Sequence, residues 1–361
     1  MAQRQLLPFR SGTRKRRQYM TTVTYTGTTA GQRPAPILLP SVGMLSRILL
    51  VAHGNIDLSG AGGSIAVDGA AGLFNRITVS ANLGSSNIFD CSGPGAYMAA
   101  NWSKSFAARA SILDPTDTTM DYNLYLPVDI AANRGRNFAL GLVNLQDPEI
   151  QVYLSLVFNP LTSVATLATS GGTTSIAVDI YYEYFEIPDP RVFALPPRAL
   201  VRTLEEQFPT ATVVGDNIYQ VPRLGTMFMF GAMAYANSAR MDKSAMQTFS
   251  LRLNKTDVVE TRSGFIQVLL DQTDFNMVQG DVPGKATTTV AGSKNPVLIE
   301  PGVITWNGWE AEGIPSSGDF RDAVDTLELT TTEFILTVAS GTTVVSTDIV
   351  RAVRRVVQVL G

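Results

Sequence analysis

Residues 187–222, IPDPRVFALPPRALVRTLEEQFPTATVVGDNIYQVP, decide how the rest of the chain is read. Prolines punctuate the stretch, and inside it lies a segment with helical spacing. Leu200, Val201, Leu204 and Phe208 fall at i, i+1, i+4 and i+8, with Arg202, Glu205 and Glu206 turned the other way. Pro197 suits a first helical turn and Pro209 ends it, so the spacing predicts a short helix over 197–208. On either side lies a region rich in strand signals, each the size of one β-sandwich. Residues 188–221 therefore read as a helix-containing linker between two copies of one fold.

The first copy, 36–187, opens with Pro40-Ser-Val-Gly43 and the run 44–52, apolar on both parities as in a strand buried on both faces. A strand at 74–80 follows, then Asp90-Cys91-Ser92-Gly93 and a breaker-free segment, 97–104, that reads as helix. Further strands are expected at 122–126, 138–142, 150–158 and 175–187. In the last, Ile176, Val178, Ile180, Tyr182 and Tyr184 alternate, the period of a half-buried strand.

The second copy, 222–361, begins the same way, with Pro222-Arg-Leu-Gly225 and the apolar run 227–236. Glu260 precedes Ser263-Gly264 much as Asp90 precedes Ser92-Gly93. Strands are expected at 248–253, 258–260, 265–270, 297–300, 303–306, 326–330 and 334–338, with a long loop over 280–295. Residues 349–360 fit a helical stripe with Arg351, Arg354 and Arg355 opposite, or a strand; their β-branched content favours the strand. Many strands and short turns describe an all-β, antiparallel architecture rather than an α/β one.

Charged residues make up 16% of the chain, against about a quarter in ordinary globular domains. No apolar run approaches membrane-spanning length, so the deficit points to broad, permanent interfaces with copies or partners. The single cysteine, Cys91, rules out an internal disulfide framework. The first residues lack the apolar block of a secretory signal. They read instead as a basic arm, 1–35, carrying Arg4, Arg10, Arg14, Lys15, Arg16 and Arg17. Without those six the chain holds 22 basic against 31 acidic residues, a net of −9. Such an arm suits phosphate groups of lipid or nucleic acid.

Little in the sequence suggests catalysis. His53 is the only histidine and has no ligand-spaced partner, which argues against zinc and Cys/His chemistry. Residues 280–286 lack the spacing and the Ser/Thr of a phosphate loop. Asp319, Asp322 and Asp325 miss the calcium-loop alternation and read as a solvated face. Asn101-Trp-Ser and Asn254-Lys-Thr match the glycosylation pattern without a signal to accompany them. Trp102, Trp306 and Trp309 could stack on sugars but are scattered over both halves. No catalytic residue, metal or cofactor is assigned, and the expectation is a protein that is not an enzyme.

The two-sandwich layout, the apolar strand after a Pro-x-x-Gly start and the proline-flanked joint resemble the double jelly-roll major capsid proteins of tectivirus-like phages. The likeness runs through 39–52, 73–79 with Cys91-Ser92-Gly93, 176–185 and, in the second half, 302–306. It implies two tandem eight-stranded jelly rolls that form pseudo-hexameric homotrimers tiling an icosahedral shell over an internal membrane. It also implies penton and minor capsid proteins as partners, the basic arm near membrane lipid, and a virion assembled in host cytoplasm. The alternative is a tandem β-sandwich that binds glycans or a receptor.

Overall fold

The computed structural model describes residues 12–26, 30–57, 64–66, 68–82, 86–102, 112–115, 119–132, 140–166, 174–189, 191–193, 199–210, 214–237, 239–241, 245–263, 295–296, 303–307 and 323–359. The first half is built from β1 (Lys15–Tyr25), β2 (Ile37–Leu38), β3 (Met44–Asp57), β4 (Phe74–Ala81), β5 (Ser86–Cys91), β6 (Thr119–Asp129), β7 (Val152–Phe158) and β8 (Thr174–Phe185). Its two antiparallel sheets run β1-β8-β3-β6 and β2-β7-β4-β5. Helix α1 (Gly93–Trp102) follows β5.

The second half is built from β9 (Ala199–Pro209), β10 (Gly215–Gln220), β11 (Thr226–Ala236), β12 (Met246–Leu253), β13 (Asp257–Ser263), β14 (Val303–Asn307), β15 (Thr332–Val338) and β16 (Ile349–Val359). Its sheets run β9-β16-β11-β14 and β10-β15-β12-β13. Adding eight to every strand of the first half reproduces the second. Two four-stranded sheets in this order are a jelly roll, so the chain is a jelly roll written twice.

The repeat extends to single residues. Gly43 and Gly225 close the two Pro-x-x-Gly corners with φ of 69° and 71°. A side chain at Gly43 would lie 2.6 Å from the carbonyl oxygen of Phe185 on β8, and one at Gly225 2.4 Å from that of Val357 on β16. Each glycine carbonyl then accepts a backbone N–H, from Leu145 and Thr326 respectively. These acceptor turns follow matching short ladders, 143–144 on β3 and 324–325 on β11. A left-handed corner with no room for a Cβ requires glycine at both places.

The rolls are fused rather than tethered. β5 and β9 pair in parallel, Phe89 with Thr203 and Asp90 with Leu204, so one ten-stranded sheet crosses both halves. β16 is consequently buried on both faces, while β9 buries one face fully and the other in part. Val201, Val353 and Val357 join the first-roll core, while Val350, Ala352 and Val356 join the second with Phe230, Phe249 and Phe334. α1 packs against β4, β6 and β16, with Ala96, Tyr97 and Met98 fully buried.

Three expectations are corrected. The helix at 197–208 is strand β9: Ala199 and Val201 join the first-roll core, and Phe208 packs against the second. Tertiary pairing on both edges overrides the helical spacing. Part of the 1–35 arm is strand β1, held along its length by β8, so the sheet begins well before residue 36. Residues 326–330 form a turn rather than a strand. Residues 349–359 are a strand, and the helix after β5 starts four residues earlier than expected. Of 138–142, the described part makes one bridge, Leu140 to Ala132. The segments 265–270, 280–294 and 297–300 lie outside the described residues.

Candidate assembly surfaces and the basic strand

The basic strand is engaged by its own fold. Arg17, Glu183, Arg47 and Asp129 stand directly opposite one another across β1, β8, β3 and β6. They form a row of alternating charge over the whole sheet, the arrangement that favours cross-strand pairs. Arg17 meets Glu183 at 2.7 Å, Lys15 reaches the same carboxylate at 2.5 Å, and Arg47 bonds Asp129. Arg16 pairs with Glu186 at 2.7 Å. Thr13 and Arg14 add contacts to the backbone of Glu186.

Burial alone would raise the Glu183 carboxyl. Hydrogen bonds from Lys15 and Arg17, with the charges of Lys15 and Arg47, outweigh it and hold the pKa below the ordinary value. Arg4 and Arg10 lie outside the described residues. Of the six basic residues singled out in the sequence, Lys15, Arg16 and Arg17 are thus ion-paired at a sheet edge. Charged edges of this kind discourage indiscriminate strand addition. Glu183 and Glu186 were not foreseen, because nothing local in the sequence says which strand faces the arm.

A second charged row lies at the joint, where β16 faces β9. Arg351 meets Glu205 at 3.0 Å and Arg354 meets Glu206 at 3.1 Å. Arg355 lies 5.6 Å from the Phe228 ring centre and has no ion pair among the described residues. Burial lowers its pKa, the nearby Asp129 carboxylate only partly offsetting this.

The remaining candidates stand apart from one another. His53 contacts Asp179 at 3.1 Å, and Asp179 also accepts from Thr22. The Thr22 hydroxyl therefore faces a carboxylate rather than the imidazole, and no nucleophile–base pair results. The Thr22 hydrogen bond leads in holding Asp179 below its usual pKa; burial opposes it, and the hydrogen bond and charge of His53 add to it. Cys91 is fully buried, which pushes its thiol pKa up, away from the reactive thiolate. Among the described residues no cluster of three His, Cys, Asp or Glu side chains could hold a metal. No described helix is long and apolar enough to cross a membrane. Trp102 ends α1, Trp306 lies on β14, and Trp309 lies outside the described residues. Asn101 sits within α1, and Asn254 occupies a left-handed turn position between β12 and β13.

No protein-family model matches the sequence, and no curated protein matches it. Solved structures do match in shape. A chain from the atomic structure of Sulfolobus turreted icosahedral virus is 12% identical with a TM-score of 0.63, over 95% of this chain and 90% of that one. The PBCV-1 virus capsid gives 11% identity and a TM-score of 0.59, over 99% and 95%. The Faustovirus major capsid protein gives 7% identity and 0.53, over 99% and 91%. At such identities the likeness speaks to fold, and it spans nearly the full length on both sides. The chain has the double jelly-roll fold of viral major capsid proteins.

Proposed function

We propose that the chain is the major capsid protein of an icosahedral virus, a structural building block with no catalytic role. The observation that carries this is the fusion of two topologically identical rolls through one ten-stranded sheet. A threefold assembly of such a block presents six similar sandwiches and so fills a near-hexagonal lattice. On this reading the units are residues 15–185 and 199–359, and homotrimers tile the shell beside penton and minor capsid proteins after assembly in the host cytoplasm.

The shell of a tectivirus-like phage would enclose a membrane, which the basic N-terminal segment suits. Because Lys15, Arg16 and Arg17 are engaged by Glu183 and Glu186, lipid contact falls chiefly to Arg4, Arg10 and Arg14. Each contributes about 1 kcal/mol near an anionic surface.

Sedimentation of the purified chain at moderate salt tests the reading. A species of three chains that persists on dilution is expected, with pseudo-hexagonal outlines by electron microscopy; a stable monomer would sink it. Flotation of the same trimers with anionic vesicles should weaken when Arg4, Arg10 and Arg14 are replaced by alanine. Unchanged flotation would remove the lipid role and leave the shell role standing.

A further inference from the structure

We propose that Glu205 is an internal latch: a carboxylate from the second roll that completes a helix of the first and couples the two rolls into one cooperative unit. The inference is independent of the capsid reading, since it concerns only how the halves hold each other.

A helix leaves its first N–H groups without intrahelical acceptors, and its N-terminus carries partial positive charge. At α1 the Ser92 hydroxyl oxygen accepts the Gly95 N–H at 3.2 Å. Ser92 in turn donates its own backbone N–H and its hydroxyl to Glu205 Oε2, at 2.6 and 2.7 Å. The other oxygen, Oε1, accepts from Gln207 Nε2 and Arg351 Nη1, both at 3.0 Å. The Glu205 side chain has no exposed surface. A buried carboxylate is tolerated only with its acceptor sites filled and a cation beside it, and all of this is supplied.

The surroundings are shaped for this one contact. A Cβ at Gly95 would fall 2.1 Å from Glu205 Oε2, so the helix approaches the carboxylate as closely as it does only because residue 95 is glycine. Arg351 lies 5.7 Å from the Tyr235 ring centre, and the Tyr235 hydroxyl donates to Asp68 at 2.7 Å. The circuit runs from Ser92 to Glu205, Arg351, Tyr235 and Asp68, leaving the first roll and returning to it. A cavity of about 340 Å³, lined in part by Asp68, Ser92, Pro94 and Arg351, borders it. Moving one roll against the other would take both Ser92 donors away from a buried carboxylate.

The test uses the full chain with single tryptophan reporters, Trp102 on α1 and Trp306 on β14, each in a background where the other tryptophans are phenylalanine. In denaturant the two curves should coincide. Glu205→Ala should lower the folded-to-unfolded ratio at least about a hundredfold and separate the curves, with Trp102 loosening first. Glu205→Gln, which keeps the shape and loses the charge, should fall between. Should the alanine variant fail to fold, Gly95→Ala serves instead: it keeps every polar group, forces the carboxylate aside and should separate the curves to a smaller degree. Curves already separate in the parent chain would overturn the proposal. So would an unchanged midpoint, or two curves that shift together without parting.

Discussion

β1 and β9 hold the same place in their rolls, yet β1 lies at a sheet edge with its first residues exposed, while β9 is paired on both sides. Both bond to the last strand of their roll through charge, and the signs are reversed. In the first roll the cations Lys15, Arg16 and Arg17 are on β1 and the anions Glu183 and Glu186 lie on β8 or just beyond it. In the second, Glu205 and Glu206 are on β9 and the cations Arg351 and Arg354 are on β16. Two rolls with one strand order face the hazard of exchanging equivalent strands. Here an exchange would set β1 cations against β16 cations, or β9 anions against β8 anions. Opposed charge codes thus add pairing specificity to a repeated fold, beyond any gain in stability.

The aromatic cores offer the sharpest contrast and the largest expected effects. Phe334 packs against Phe208, Tyr219, Phe230 and Phe249, whereas Phe158 in the first roll meets Tyr25 and Phe74. Truncation of either to alanine should cost about 3–5 kcal/mol, Phe334→Ala the more, measured by denaturant unfolding. A larger loss at Phe158 would reverse the ranking of the two cores.

The glycine corners test the sameness of the halves. Gly43→Ala and Gly225→Ala should each cost about 2 kcal/mol, since both place a Cβ in the left-handed region against a backbone oxygen. Equal losses in equilibrium unfolding are the expectation, and a neutral result at one corner would break the equivalence.

The smallest effect concerns the charge row. Glu183→Gln should cost about 1 kcal/mol at neutral pH, because its cationic partners are partly solvated. The folded-state pKa of Glu183 is depressed, so its contribution is fully present above the unfolded carboxyl value and fades as pH falls through the folded one. The difference between parent and variant should therefore shrink on acidification. A difference that grew would show that the carboxylate is not the stabilising form.

Much of this architecture could be read directly from residue patterns. The Pro-x-x-Gly corners, the runs that follow them and the alternation from Ile176 to Tyr184 located β3, β11 and β8, because each signal is local. β1 and β9 were misjudged because their determinants are remote. Lys15 to Arg17 look like a solvated tail until Glu183 is placed beside them. Glu205 looks like the polar side of a helix until Ser92 and Arg351 close over it. In both strands the deciding partners lie more than a hundred residues away. No local periodicity carries that information.

In each roll the last strand in chain order occupies an inner position: β8 lies between β1 and β3, and β16 between β9 and β11. A ribosome that has made residues up to 173 has produced β1 and β3 but not the strand that joins them, and the same holds for β9 and β11 until residue 349. Neither sheet can therefore be completed before its last strand has been made. A product broken off short of β16 leaves β9 and β11 without the strand that pairs with both.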